Sequence, residues 1–286
     1  MKKIIFLIIV NIISFVALAA TPTKPDTTVI LRPVNASYSL LIGSSHRTDT
    51  YLSPIKYSGY TVGFGYQRRQ AMKFNPENWI SQLRLDIDID QTKNMAKNAT
   101  LWYAGFDFSY SMIHRWKLPS GFSIGVGPSL ALNLGCLYLN RNGNNPASAK
   151  AAATINGDGY VAWNGNLFNI PITFRYQATV PVIGTFFSPD FGELYYEIYL
   201  GNYSDLCHCA WIGNYTRLRH WLTADINLGN TSIQLGYRGD LFSSKANNIV
   251  TRAFTHSAVI GLSGEWLSID SRKKLSHDAK IISATY

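Results

Sequence analysis

The sequence predicts an all-β fold, an antiparallel transmembrane β-barrel of about ten strands, with eight or twelve strands as alternatives. Three observations predict it. Long segments alternate apolar with small or polar side chains at every second position, and one such segment carries three carboxylates on a single face. In addition, no stretch beyond the N-terminus has the ~18 continuous apolar residues that a transmembrane helix requires.

The alternation is strongest in the hairpin over residues 100–135. In residues 100–112, Trp102, Phe106 and Tyr110 share one face, and Asp107 and Ser109 share the other. Residues 122–135 repeat the pattern. Successive side chains of a strand point to opposite faces, so each strand has one apolar and one polar face. The runs exceed the ~5–6 residues of an average soluble strand and match the ~9–11 needed to cross a bilayer.

Residues 79–90 indicate which face is wet. Leu83, Leu85 and Ile87 alternate with Asp86 and Asp88. Carboxylates facing lipid are very costly, so this face is expected to line the lumen.

The N-terminus predicts export. Two lysines precede a short apolar run that ends in small residues, which is the pattern of a cleaved signal peptide over residues 1–19. A periplasmic lead-in over residues 20–34, the barrel over 35–267 and a C-terminal tail over 268–286 follow.

The predicted strands and connections are taken in chain order. The strands are residues 35–45, 58–70, 79–90, 100–112, 122–135, 164–178, 193–201, the two arms of a hairpin turning at Gly229-Asn230, and 254–266. With a periplasmic N-terminus, the outer connections are residues 46–56, 91–98, 140–159, 202–216 and 241–252, all of them long. Short periplasmic turns with longer outer loops are the rule for such barrels.

Composition and charge limit the classes of binding partner that we expect. Net charge is +9, but charged residues make up only 15% of the chain and aromatic residues 13%. The charges are dispersed over turns, loops and the tail, so no nucleic-acid partner is expected. The expected location is the outer membrane of a Gram-negative cell. The expected partners are outer-membrane lipids and, during biogenesis, the barrel-assembly machinery; the oligomeric state stays open.

The three cysteines predict neither a disulfide framework nor a metal site. Cys207 and Cys209 flank His208, and Cys136 lies at a strand end. The four-ligand spacing of structural zinc is missing. We expect no metal and no cofactor.

One set of charged side chains is predicted to face the lumen. We expect it to form a salt-bridged polar core, with a narrow charge-lined pore as the alternative. The set is Arg84, Asp86, Asp88, Asp107, Arg175, Asp225, Arg238 and Glu265.

The segment P-V-I-G-T-F-F-S-P-D-F-G-E-L-Y-Y-E-I at residues 181–198 carries a resemblance. It is similar to a motif of an uncharacterised outer-membrane barrel family of Bacteroidetes, catalogued as a domain of unknown function. The resemblance implies a barrel and no known activity. The motif candidates for a lumenal plug or ligand contact are Ser188, Pro189, Asp190, Gly192, Tyr195, Tyr196 and Glu197; the alternative is an ordinary turn, since Pro, Asp and Gly favour turns.

No catalytic residues are predicted. His256 and Ser257 are neighbours on a strand and therefore point to opposite faces, so they cannot form a dyad with each other. The expected role is structural or that of a small-solute pore. The alternatives are an outer-membrane lipid-modifying enzyme and a secreted soluble β-sheet protein that binds a ligand.

Overall fold

The computed structural model describes residues 30–143, 145–229, 231–267 and 279–285. The predicted signal peptide, most of the lead-in and residues 268–278 of the tail lie outside the described residues.

The described chain is almost entirely strand, with one short α-helix, α1 (Tyr195–Tyr199), and a 3₁₀ turn at Pro119–Gly121. The strands are β1 (Ile30–Leu31), β2 (Val34–Asp49), β3 (Ser53–Ala71), β4 (Trp79–Asn94), β5 (Thr100–Lys117), β6 (Phe122–Leu139), β7 (Ala147–Leu167), β8 (Ile170–Phe187), β9 (Cys207–Trp211), β10 (Tyr215–Asn227), β11 (Thr231–Ala246), β12 (Ile249–Trp266) and β13 (Lys280–Ile281).

The long strands close into an antiparallel barrel. Each of β2 to β8 pairs with the next, β10 pairs with both β8 and β11, and β12 returns to β2 in a register that runs from Thr251↔Asp49 to Trp266↔Val34. In the described part of the chain this makes a ten-stranded barrel with no unpaired edge, as the alternation predicts.

The strand β9 is an extension of β10. It pairs with the far end of β8, from Ile183↔Trp211 to Phe187↔Cys207, and β10 continues along the same strand from Thr179↔Arg219. A turn at residues 212–214 separates β9 from β10. The side chain of Asn214 holds this turn, accepting from the Trp211 amide at 3.0 Å and donating to the Cys209 carbonyl at 2.9 Å.

The wall has a polar inside and an apolar outside. Leu40 and Ile89 are 46% and 52% exposed on the outer face, whereas Asp86 and Gln177 are each 1% exposed on the inner face. The usual relation between burial and polarity is therefore inverted, as expected of a barrel whose outer surface meets lipid. Within the described residues, no helix is long and apolar enough to cross a membrane.

The strand predicted at residues 193–201 is wrong. This segment contains α1 inside a connection of residues 188–206 between β8 and β9. The Glu197 carboxylate accepts a 3.0 Å hydrogen bond from the Leu194 amide, and the Leu194 carbonyl accepts from the Glu197 amide. A helix start organised in this way outweighs the short alternation of large side chains.

The loop predicted at residues 140–159 is also largely wrong, because β7 begins at Ala147. The outward side chains of its first half include Ala151, Ala153 and Gly157, which are too small to show an apolar alternation. The predicted strand 164–178 spans a two-residue turn at Phe168 and Asn169, both with positive φ. The prediction omits β7 and adds a strand at residues 193–201, so its count of ten strands still agrees with the structure.

The predicted outer loops are shorter than expected because the strands continue through them. Only residues 50–52, 95–99 and 247–248 separate the strands at three of these connections. Most of the outer face is an apolar belt. Near these three connections the outer face becomes polar, with exposed Lys56, Lys93 and Arg252. Apolar alternation therefore ends before the strands do. We call the end that carries residues 188–206 the cap end, and the opposite end the turn end.

Candidate functional site

Two arginines from one strand and two aspartates form the centre of the lumen. Arg217 on β10 donates to Asp107 on β5 at 2.9 and 3.0 Å and to Asp240 on β11 at 2.5 Å. Arg219 contacts both carboxylates as well and reaches Asp86 on β4 at 3.1 Å. Guanidinium groups can serve two carboxylates in a planar fork, so this four-residue network ties strands on both sides of the lumen together.

Further ion pairs lie next to the central network. Arg238 makes a bidentate contact with Asp88 at 2.6 and 3.0 Å. Towards the cap end, Arg47 pairs with Asp90. Lys150 pairs with Asp49 at 2.7 Å. Together with the central network, these charges lie on six different strands, so the ion pairs act as a core for the whole barrel.

The structure brings most of the predicted lumenal set together. Arg84, Asp86, Asp88, Asp107, Arg175, Asp225 and Arg238 are all buried inside the barrel, while Glu265 is half-buried near the turn end. Asp225 accepts from Gln234 at 2.8 Å, and Glu265 accepts from Ser283 at 2.5 Å.

The sequence reasoning missed Arg217, Arg219 and Asp240, which are the centre of the network. The signal was available. Asp225 is predicted to face the lumen, and counting back along the strand by twos reaches Trp221, Arg219 and then Arg217. Asp240 likewise lies two residues beyond Arg238 on β11.

A chamber lies in the lumen between the central network and the cap end. Its free space is about 70 Å³, and part of the chamber is open to solvent. One wall is aromatic, with Phe186, Tyr215 and Phe242 in contact at ring-centroid distances of 5.2 and 5.3 Å. The opposite side carries Arg47 and Asp90. An apolar wall with a few fixed polar groups is typical of small-molecule pockets.

The motif segment closes over the cap end and is not a simple turn. Ser188 and Pro189 are buried. The Glu193 carbonyl accepts from the Tyr51 hydroxyl at 2.7 Å, and the Glu193 carboxylate accepts from the Asp190 amide at 2.9 Å. Residues 188–206, which we call the cap loop, are thus fastened to the β2–β3 connection.

Of the remaining motif residues, Tyr195 holds the cap loop to the wall and others are exposed to solvent. The Tyr195 hydroxyl accepts from the Ala149 amide at 2.6 Å, which ties the cap loop to β7. Gly192 has φ +91°, a conformation that favours glycine. Asp190, Tyr196 and Glu197 are exposed.

Burial shifts the pKa values of two tyrosine hydroxyls at the cap end. It raises the pKa of Tyr195 to about 12. It also raises the pKa of Tyr51 above its ordinary value, which the hydrogen bond from Asn145 partly offsets. Both hydroxyls are therefore neutral throughout the physiological range.

The C-terminal segment fills the turn end. Residues 279–285, which we call the plug segment, pair through β13 with β1 and then enter the barrel. Ala284 is 1% exposed and packs in a cluster with Ile80, Ile113 and Tyr160. The Ser283 carbonyl accepts from Arg115 at 3.0 Å. The predicted tail is thus, in its described part, an internal element of the barrel.

The cysteines lie outside the lumen. Cys136, Cys207 and Cys209 are exposed free thiols. The Nε2 atom of His208 lies 3.1 Å from the Ser188 carbonyl. Among the described residues, no three His, Cys, Asp or Glu side chains group closely enough to hold a metal ion.

Comparison with solved structures gives distant barrels. The outer membrane protease OmpT from Escherichia coli aligns with a TM-score of 0.43 and 7% identity, over 87% of this chain and 100% of that one. The translocator domain of autotransporter NalP from Neisseria meningitidis aligns with a TM-score of 0.35 and 11% identity, over 84% of this chain and 90% of that one. Likenesses this distant transfer no activity.

No curated protein shows significant sequence similarity to the chain. A family model does match, over residues 4–273, and its description is "Protein of unknown function (DUF3316)". This confirms the resemblance to a family of unknown function, whereas the Bacteroidetes origin stays a prediction. Since the match covers nearly the whole chain, the protein belongs to the DUF3316 family.

Proposed function

We propose that the protein is an outer-membrane β-barrel of a Gram-negative cell, closed to solute flow at rest, which binds a small amphipathic molecule in the chamber beneath the cap loop. The observation that carries the proposal is the chamber itself, with its aromatic wall of Phe186, Tyr215 and Phe242 facing charged groups. The apolar outer belt supports the membrane location. The chamber supports a binding role more directly than it supports conduction.

Three layers support closure. The cap loop crosses one mouth, the network of Arg217, Arg219, Asp107 and Asp240 crosses the middle, and the plug segment fills the other mouth. A conducting path would have to disrupt buried ion pairs, and breaking such a pair costs about 3–5 kcal/mol.

The chamber indicates the class of ligand. An aromatic or aliphatic group would pack against Tyr215 and Phe242, and a polar end would lie toward Asp90 and Lys150. Both signs of charge line the chamber, which favours a ligand carrying an amine together with a carboxylate. L-4-bromophenylalanine is a suitable probe, because its bromine can be located by anomalous diffraction.

The experiment compares binding of this probe to two matched variants. Ala253 lines the chamber from β12, whereas Ala258 on the same strand faces outward. Ala253→Phe should fill the chamber and weaken binding at least tenfold by calorimetry in detergent. Ala258→Phe should leave binding unchanged. Wild-type protein that shows no saturable binding, with no bromine density in the chamber, would overturn the proposal.

A small-solute pore is the second candidate, favoured by the polar lining of the lumen. It requires the plug segment and cap loop to move. Discrete conductance steps from the intact protein in planar bilayers would support it over the closed barrel.

We also propose that the protein is not an enzyme. Within the described residues, neither a histidine nor a cysteine lines the chamber. Ser257 is buried on the inner face while His256 is exposed outside, where it contacts the Tyr237 hydroxyl. Hydrolysis of outer-membrane lipids by the purified barrel, lost on replacing Ser257 with Ala, would contradict this. Recovery in the soluble fraction without detergent would favour the secreted alternative.

A further inference from the structure

We infer that the lumen holds a small inorganic anion, of the size of chloride, in a pocket on the turn-end side of the central network. This site is separate from the cap chamber. The pocket has about 20 Å³ of free space, enough for one small ion or water, and its lining includes Arg84, Arg175, Gln67, Trp221 and Asp86. We call it the arginine pocket.

Unused donors converge on the arginine pocket. The Nε and Nη2 atoms of Arg175 are buried and have no hydrogen-bond partner among the described residues. The same is true of the Nε2 atom of Gln67 and the indole nitrogen of Trp221. These groups come from three strands, β3, β8 and β10, so an anion between them would receive donors from different sides of the lumen.

The arginines of this pocket differ from those of the central network in having no ion pair. Within the described residues, no carboxylate lies within salt-bridge distance of Arg84 or Arg175. Arg84 donates only a 3.4 Å hydrogen bond to the Gln177 side chain. Arg175 lies over the Tyr160 ring at 3.5 Å and Arg84 over the Trp221 ring at 4.5 Å.

Two carboxylates lie near the pocket, and within the described residues neither forms an ion pair with Arg84 or Arg175. Asp86 binds Arg219 through one oxygen, and its other oxygen has no hydrogen-bond partner in the described part of the chain. Asp158 accepts from Gln177 at 2.8 Å and from Ser111 at 2.7 Å. The unpartnered oxygen of Asp86 disfavours a large or multiply charged anion, so a monovalent ion held on the Arg175 side fits best.

The physical argument is charge compensation. Arg175 is 5% exposed and Arg84 is 6% exposed, and a guanidinium stays protonated in proteins. A buried charge without a partner is strongly unfavourable, and ring stacking compensates only in part. An anion among the free donors would supply the missing charge and the missing acceptor together.

The first test locates the ion directly. Protein refolded and crystallised with sodium bromide as the probe should show an anomalous peak within about 3.5 Å of Arg175, Gln67 and Trp221. Density in the pocket without a bromine signal would mean that water fills it, and would overturn the inference.

The second test is thermodynamic. The denatured chain is refolded at constant ionic strength in mixtures of chloride and the bulkier anion gluconate. If one chloride binds the folded barrel only, the folding equilibrium constant should rise about tenfold for each tenfold increase in chloride above its dissociation constant. A folding constant independent of chloride would contradict the site.

Variants separate this site from general salt effects. Arg175→Met should abolish the chloride dependence. Trp221→Phe removes one donor and should move the dependence to roughly fivefold to tenfold higher chloride. The matched control is Arg47→Met, because Arg47 already pairs with Asp90. It should lower stability and keep the chloride dependence, and an equal loss of dependence in this control would overturn the assignment.

Discussion

Arg217 and Asp107 join the barrel across its lumen: the guanidinium on β10 donates two hydrogen bonds, of 2.9 and 3.0 Å, to the carboxylate on β5. These strands are not neighbours in the sheet. The ladder of backbone hydrogen bonds closes the wall, whereas this pair fixes the distance between opposite walls. In the middle of the lumen, ion pairs therefore take the place that apolar side chains occupy in the core of a soluble protein.

Asp107→Leu should destabilise the barrel by about 3 kcal/mol, the lower end of the usual cost of breaking a buried pair, since Asp240 still accepts from both arginines. Guanidinium unfolding in lipid vesicles measures this. Asp190→Asn, in the exposed part of the cap loop, is the control and should change stability by less than about 0.5 kcal/mol.

A double variant checks that the loss is electrostatic. Arg217→Met combined with Asp107→Leu should recover much of the stability, because neither charge is then left without its partner. If the double variant loses as much stability as the two single variants together, the two residues are not coupled.

The hydroxyl of Tyr51 fastens the cap loop through the Glu193 carbonyl. Tyr51→Phe should remove about 1 kcal/mol of cap stability and raise the rate of proteolysis within residues 188–206 about fivefold. Tyr196→Phe changes an exposed tyrosine of the same loop and should leave the rate unchanged. Equal rates in wild type and Tyr51→Phe would show that the hydrogen bond does not hold the cap.

The cap should loosen in alkali. Burial raises the pKa of Tyr195 to about 12 from an unfolded value of about 10, so its neutral form favours the closed cap. This contribution is complete below about pH 10 and is lost as the pH rises toward 12. Proteolysis of the cap loop should increase in that window, and less so in Tyr195→Phe. An increase centred below pH 9 would contradict the assignment.

The plug segment is held by burial of Ala284 against Ile80 and Ile113. Ala284→Glu would place an unpaired carboxylate there, which is costly enough to expel the segment. In a chain with its three cysteines changed to serine, Ile282→Cys should react with a maleimide at least tenfold faster when Ala284→Glu is added. Lys280→Gln removes only an exposed ion pair with Glu77 and should have little effect.

The closed wall predicts behaviour on detergent gels. A barrel without an unpaired edge resists unfolding until heated, because each backbone hydrogen bond lies within the wall. Unboiled protein from an outer-membrane fraction should therefore migrate differently from boiled protein. A single band under both conditions, from a fraction that needs no detergent, would contradict the proposed location in a membrane.

Much of the wall was predictable because lipid imposes a simple rule. Ile87 and Ile89 outside, with Asp86 and Asp88 inside, follow from a two-residue period and the cost of charge in lipid. The same rule failed at Ala151 and Gly157, where the outward side chains are too small to register, and at Lys93 and Arg252, where the wall leaves the apolar belt.

The site was less predictable than the wall. The inner face of each strand could be assigned, but pairing across the lumen depends on the closed register, so the partnership of Arg217 with Asp107 has no local signal. The cap loop is similar. Its contacts with Tyr51 and Ala149 join positions more than 40 residues apart, and the capping of α1 by Glu197 competes with an alternating pattern of large side chains.

Closure of the lumen is the central claim, and conductance in planar bilayers tests it most directly. The intact protein, inserted from detergent, should add no discrete conductance steps, and removal of residues 279–286 should add none either, because Arg217, Arg219, Asp107 and Asp240 still cross the lumen. Stepwise, ion-selective conductance from the intact protein would contradict the closed barrel and establish a pore.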